Sequence, residues 1–272
     1  MGSIESDELL KSMKTDFVHG SSWYYEMSIQ YIEKYKGKMD DAIEKLADIR
    51  PGMASISNVI EAISIAKNKN DFNLIINNLK NYGKNARKKI SENLIEANTV
   101  ITISNSSAVK DILMASKVKK IYLMESVPGN ESENAVKELS KFADAIVIPD
   151  SSIFQFIEFS DCAIIGFDGI YSAGYLTNKV GTFPLIYISN YLGVPTIAVG
   201  ESYKATDGYP PPPLKINYKG INIGLFDKIP LSFISELITD TGIIKNPSPQ
   251  DVIKMKNYFI QTILNNRDVQ KP

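Results

Sequence analysis

Helical periodicity runs through the first hundred residues. In SWYYEMSIQYIEKY, Trp23, Met27, Tyr31 and Tyr35 recur every four positions, which puts them on one face of a helix. MDDAIEKLADI repeats Met39, Ile43 and Leu46, and ISNVIEAISIAK continues the pattern. DFNLIINNLKNYGKNARKKISENLIEAN predicts one long helix opened by Asp71 as cap, with Gly83 marking a place for a break or kink.

From Thr99 the texture changes to short β-branched runs: VITIS, KKIYLM, AIVIP, CAIIGF and PTIAVG. Between them lie helical stretches such as SAVKDILMAS, NAVKELSKFAD and FPLIYISNYL. Strand–helix alternation of this kind predicts a parallel sheet with crossover helices. The expected fold is therefore α/β, a helical N-terminal domain (1–95) followed by a Rossmann-like parallel-sheet C-terminal domain (96–272). YPPPPLK, residues 209–215, reads as a stiff polyproline-type loop, either a connector or an interface element.

Composition narrows the class. A chain of 272 residues can bury a sizeable core, and 44% apolar with 22% charged residues is ordinary for a globular protein. Thirty basic against thirty-one acidic residues argue against a dedicated nucleic-acid binder. The single Cys162 cannot form an internal disulfide, which points to a reducing compartment; inside CAIIGF it reads as a packing residue. No apolar run approaches the roughly 18 residues of a membrane span. MGSIESDELLKSMK lacks the apolar stretch of a signal peptide. A cytoplasmic protein without membrane association is the expectation. One His and one Cys exclude the usual zinc spacings, and neither GxGxxG nor GxxxxGK[ST] occurs, so no metal or cofactor is expected.

Candidate chemistry gathers where strands or helices end. In GFDGIYSAGYLTNKVGT (166–182) an acid follows an apolar run, and Asn178 and Lys179 precede a glycine turn. Carboxyl ends of strands are where open α/β sheets bind ligands. A lysine beside glycine N–H groups suits a phosphate, and Asp168 suits proton transfer or a sugar hydroxyl. HGSSW offers Gly20, Ser21 and Ser22 at a helix start, as an anion site or as a cap before a core Trp. His19 is either structural or a ligand contact. Arg50 precedes Pro51 and projects from a turn, to grip a phosphate or to make a surface ion pair. TISNSSAV places Ser104, Asn105 and Ser106 in a hydroxyl-rich turn, with one serine accounted for by capping. ESVPGNES, from Glu125, follows the next strand.

Taken together these stretches resemble one superfamily. It comprises the α, β and δ regulatory subunits of translation initiation factor 2B, methylthioribose-1-phosphate isomerase and the archaeal ribose-1,5-bisphosphate isomerase. GFDGIYSAGYLTNKVGT resembles its "G-A-D-x-I-x-x-N-G-x-x-x-N-K-x-G-T", and Arg50-Pro51 with Asn58 resembles "R-P-T-x-x-x-L-x-N". VITISNSSAV falls on "T-H-C-N" or "T-H-x-x-S", and Glu125-Ser126-Val127-Pro128 on "E-[ST]-R-P". Phe226-Asp227-Lys228-Ile229-Pro230 and Ile238-Thr239-Asp240-Thr241-Gly242 resemble "F-D-x-T-P" and "I-T-E-x-G".

In the isomerases the cysteine of that block and the aspartate of "G-A-D" are the proposed acid/base pair. Asp168 is kept here, but the cysteine position reads Ser104. A thiol ionises near pH 8.5, whereas a hydroxyl is far too weak an acid, and general acid–base catalysis is worth roughly 10²–10⁴-fold. Val127 replaces an arginine, His19 another, and Ser132 a glycine; Lys204, resembling a lysine after the next strand, could replace the charge missing at Val127. The resemblance therefore implies a factor-2B-related regulatory protein that binds a phosphorylated sugar or nucleotide without catalysis. Its ligand residues would be Gly20, Ser21, Ser22, Arg50, Asn105, Ser106, Asn178, Lys179 and Lys204. The alternative is an aldose–ketose isomerase acting on a 1-phosphorylated pentose such as ribose 1,5-bisphosphate, with Asp168 and Ser104 catalytic. A thiol or histidine beside the Asp168 carboxylate would favour that alternative. The resemblance also implies a homodimer joined through the C-terminal domain, with the Pro-rich loop and residues 223–234 as candidate contacts. Subunits of translation initiation factor 2 are the implied partners.

Overall fold

The computed structural model describes residues 2–16, 19–35, 37–50, 53–67 and 72–264. Asp71, expected as a helix cap, and Pro51, expected to hold Arg50 in a turn, lie outside them. Among the described residues α1 (Gly2–Thr15), α2 (Ser21–Lys34), α3 (Met39–Ala47), α4 (Ala54–Lys67) and α5 (Phe72–Ser91) precede the first strand.

Their shared core joins Tyr24, Tyr25, Ile29 and Ile32 of α2 to Ile56, Val59 and Ile63 of α4 and to Ile75, Ile76 and Leu79 of α5. The face of α2 that is deepest differs from the expected stripe. Trp23, Met27 and Tyr35 pack along the edge of the core, because α2 is flanked by α1, α4 and α5 and buries a broader sector than one i, i+4 row. The long helix also differs. α5 runs through Gly83 without interruption and stops at Ser91, short of the expected end at Asn98. Gly83 serves packing instead: a Cβ there would come within 2.9 Å of the Tyr25 ring.

The second half begins with β1 (Thr99–Ile103), α6 (Ser107–Ala115), β2 (Lys120–Met124), α7 (Ser132–Leu139), β3 (Asp144–Ile148), α8 (Ile153–Ile157) and β4 (Cys162–Gly166). It continues with β5 (Gly169–Tyr171), β6 (Tyr175–Lys179), α9 (Thr182–Tyr191), β7 (Thr196–Val199), β8 (Ala205–Thr206), β9 (Lys215–Tyr218) and β10 (Ile221–Gly224). β11 (Phe226–Pro230), β12 (Glu236–Thr239), β13 (Gly242–Lys245) and α10 (Pro249–Leu264) complete it. A seven-stranded sheet has the order β13-β12-β7-β4-β1-β2-β3, parallel except for the edge hairpin β12–β13. Its central strands are apolar on both faces, as parallel strands covered by helices must be. Ile101, Ile103, Ala163 and Ile165 enter one cluster, while Val100, Cys162 and Ile164 enter the other, the period-2 alternation of a pleated strand. No described helix is long and apolar enough to cross a membrane.

The helical region, followed by a mostly parallel sheet, matches the expected fold class. Beyond it lie a four-stranded sheet, β11-β6-β5-β8, and the β9–β10 hairpin. Asn178 and Lys179, read as part of a turn, end strand β6 opposite Asp227 and Phe226 of β11; only the residues after them turn. α10 crosses back: its Phe259 and Ile263 join the helical core. Tyr203, from the turn after β7, enters the same core and stacks on Tyr25 at a ring separation of 3.9 Å.

Candidate functional site

After β1 the chain goes to β2 and β3 on one side of the sheet, then returns to place β4 on the other side of β1. The carboxyl ends of β1 and β4 thus diverge at a topological switch point, the usual place for a ligand crevice in an open α/β sheet. A cavity of about 530 Å³ opens there. Ser104, Asn105, Ser106 and Ser107 line it after β1, Phe167 and Asp168 after β4, Asn178 and Lys179 from β6, and Lys204 after β7. His19, Gly20, Ser21 and Ser22 close it from the start of α2. Of the expected ligand residues, only Arg50 is missing from this wall.

Ser104 turns the chain with a φ of 70°, a left-handed conformation that costs a non-glycine residue of order 1–3 kcal/mol. Ser126 after β2 is similar, with a φ of 64°. The two turns are tied together: the Ser104 N–H donates to the Ser126 hydroxyl (2.7 Å), which also lies 2.9 Å from the Ser132 hydroxyl. Asp150 holds the Ser126 and Val127 N–H groups at 2.9 and 2.8 Å. Ser132, where the resemblance expects glycine, is therefore a buried hydroxyl within this network. Ser106 caps α6, accepting from the Val109 N–H at 3.4 Å. Its hydroxyl also explains Gly166, where a Cβ would lie 2.5 Å from that oxygen.

Asp168 is half-buried and caps α2 from across the molecule, its Oδ1 accepting from the Ser21 N–H at 3.1 Å. Desolvation pushes its carboxyl above the ordinary range, against the opposing pull of Lys204, the Ser21 N–H and Lys179. The cations are not bare. Lys179 Nζ lies 2.8 Å from Glu131 Oε1, and Lys204 Nζ lies 2.7 Å from Glu201 Oε2, with all four side chains buried. Ser22 also donates to Glu201, at 3.1 Å. Burial alone would raise the Glu201 carboxyl, but the charge and hydrogen bond of Lys204 hold it below the usual range. Asn178 donates its amide to the Thr182 hydroxyl (3.0 Å) at the start of α9. The same helix start is fixed by Asp227, which accepts the Gly181 and Phe183 N–H groups at 2.8 and 2.9 Å.

Arg50 corrects an expectation. Its guanidinium is buried, donates to the Tyr24 hydroxyl at 2.7 and 3.0 Å and to the Asp16 carbonyl, and lies over the Tyr24 ring. These contacts hold Arg50 within the helical layer, away from the wall of the serine-lined cavity, and its burial leaves it off the surface. Arg50 instead borders a second cavity, about 660 Å³, lined by Met53, Tyr171, Pro210 to Pro213 and Leu214. The two cavities share Asp168 and Phe226. His19 stacks on Trp23 at 4.5 Å, with its Nδ1 2.7 Å from an Asp16 carboxylate oxygen.

Glu131 and Glu201 went unrecognised in the sequence. Glu201 stands three residues before Lys204, a spacing that could have flagged an ion pair; Glu131 meets Lys179 only through the fold. The cavity can offer helix-start N–H groups, hydroxyls and two counter-ion-paired ammonium groups to a small anion, with the Asp168 carboxyl among its lining residues.

A ribose 1,5-bisphosphate isomerase of Methanocaldococcus jannaschii is 27% identical over 255 residues, covering 81% of this chain and 82% of that protein. A protein of Pyrococcus furiosus, provisionally named translation initiation factor eIF-2B subunit 2-like, is 29% identical over 266 residues, covering 88% and 96%. The crystal structure of the Pyrococcus horikoshii translation initiation factor eIF-2B shares the fold, with a TM-score of 0.78 at 23% identity over 91% of this chain and 98% of that one. A model of the Initiation factor 2 subunit family matches residues 22–246, and the chain belongs to that family.

Proposed function

We propose that this chain binds a phosphorylated sugar or nucleotide in the serine-lined cavity and does not isomerise it. The observation that carries this reading is the absence of a usable thiol at the cavity wall. Ser104 follows β1, at the position where the resemblance places the isomerases' cysteine. The chain's single thiol, Cys162, is buried in β4 and pushed by desolvation up to about 12. A hydroxyl cannot exchange protons near neutral pH without a base, and the one histidine, His19, has its Nδ1 2.7 Å from an Asp16 carboxylate oxygen.

One observation favours the isomerase reading. Asp168, held above the ordinary carboxyl range, is suited to take up and return a proton, and the M. jannaschii relative is named as an isomerase. Under that reading Asp168 moves the proton of an aldose–ketose shift and Ser104, which lines the same cavity, is the second, hydroxylic group. A homodimer, contact with translation initiation factor 2 subunits and a cytoplasmic location belong to the same proposal. The exposed Tyr187 of α9, whose ring lies 6.3 Å from that of Phe233, supports pairing through the 223–234 region.

Proton NMR of ribose 1,5-bisphosphate incubated with the protein, and with Asp168→Asn in parallel, separates the readings. Saturable line broadening without conversion is the expected result. Conversion by the wild type, abolished in Asp168→Asn, would replace the binding reading by the isomerase one.

A further inference from the structure

The cavity's charge is closely balanced, and the balance bears on what it accepts. Lys179 faces Glu131 and Lys204 faces Glu201, each at ion-pair distance; Glu138, on the rim, is paired with Lys110 at 2.9 Å. Among the described lining residues the other charges are Lys137 and Asp168. A phosphate placed against Lys179 must therefore share that ammonium with a carboxylate already in contact with it.

The Lys179–Glu131 pair is built in. Glu131 is the N-cap residue of α7, 9% exposed, and a Cβ on Gly129 would lie 2.0 Å from its Oε2 and 2.6 Å from Lys179 Nζ. Only glycine at 129 leaves room for the pair. Yet Glu131 Oε2 is buried and accepts no hydrogen bond from the described residues, the ion pair being made through Oε1. A carboxylate held on one oxygen alone retains acceptor capacity, and a sugar hydroxyl is the complementary donor.

We propose that Glu131 is a specificity-determining residue of this cavity. It keeps Lys179 neutralised, so that the site selects a ligand with one phosphate and free hydroxyl groups over a ligand with two phosphates. This rests on the phosphorylated-ligand reading above and narrows its ligand class. At the effective dielectric of a protein interior, one added anionic group a few ångströms from an existing carboxylate weakens binding roughly tenfold or more.

Isothermal titration of the purified protein with ribose 1-phosphate, ribose 5-phosphate and ribose 1,5-bisphosphate tests this directly. The wild type is expected to bind one of the monophosphates at least about tenfold more tightly than the bisphosphate. Glu131→Gln, with folding checked by circular dichroism, is expected to lose or reverse that preference, chiefly by binding the bisphosphate more tightly. A wild type that binds the bisphosphate as tightly as either monophosphate would overturn the proposal while leaving the phosphosugar reading intact, and that arm needs no variant. Retention of the full preference in Glu131→Gln would also overturn it. Binding of none of the three would overturn the phosphosugar reading and this proposal with it.

Discussion

Because Lys179 and Glu131 are 6% and 8% exposed, removing either side chain leaves the other charge where water cannot easily reach it. Breaking a buried pair from one side costs about 3–5 kcal/mol, whereas removing both charges can be nearly neutral. Lys179→Ala should therefore lower the melting temperature sharply, and Lys179→Ala with Glu131→Ala should recover much of the loss. Equal destabilisation by the single and double variants would mean that the pair is not coupled. Asp168 behaves differently. Its carboxyl is raised in the folded protein, so the folded state holds a proton more readily than the unfolded one. The cost of ionising it is absent below the unfolded carboxyl pKa, near pH 4, and grows as pH rises toward the folded value. Asp168→Asn should accordingly melt higher than wild type at neutral pH, with the gap closing near about pH 4. A gap that does not change with pH would contradict this account.

Element by element, the β-branched runs after Thr99 announced β1, β2, β4 and β7, because strands buried on both faces must be apolar, and also β3, an edge strand with one exposed face. The strands β5, β6, β8 and β11 were not legible. They are short and mix polar with apolar residues, and apart from the local β5–β6 hairpin they pair with partners distant in the chain. The site was legible where a residue type must stand at a strand end, as with Asp168 and Ser104. It was illegible where only the fold supplies a partner, as with Glu131 for Lys179 or Tyr24 for Arg50. Gly83 shows how a local rule misleads: low helix propensity suggested a break, but the glycine admits an aromatic ring. Tyr25 is held by its stack on Tyr203 and by its hydroxyl bond to the Leu79 carbonyl at 2.8 Å, so it cannot yield to a methyl group. Gly83→Ala should destabilise by about 1–3 kcal/mol through overpacking, despite roughly 1 kcal/mol of gained helix propensity, as denaturant titration would show. A more stable variant would mean that the ring moves freely. Asp227→Ala should cost about 1–2 kcal/mol by freeing two N–H groups at the start of α9. Unchanged stability on the same titration would show that water replaces the carboxylate without penalty.

At the scale of the molecule, the helical layer and the sheet are joined by a few large side chains. Tyr82 donates to Asp240 at 2.7 Å and lies 2.6 Å from the Ser202 hydroxyl, and Asn58 donates to the carbonyls of Tyr203 and Ala205. Phe259 packs edge-on against Tyr82 and near Tyr203, the neighbour of Lys204 in the cavity wall. Phe259→Ala should therefore cost about 3–5 kcal/mol, the range for a fully buried aromatic, and should also weaken ligand binding though it touches no ligand. Wild-type affinity in a destabilised Phe259→Ala protein would show that the cavity does not depend on this joint.

The return of α10 also orders events during synthesis. The helices that precede β1 share their core with Phe259 and Ile263, which follow the whole sheet in the sequence. Until the ribosome has released those residues, Tyr82 and Tyr203 lack one of the surfaces they bury against. The helical layer must therefore wait, partly uncovered, until α10 has been translated.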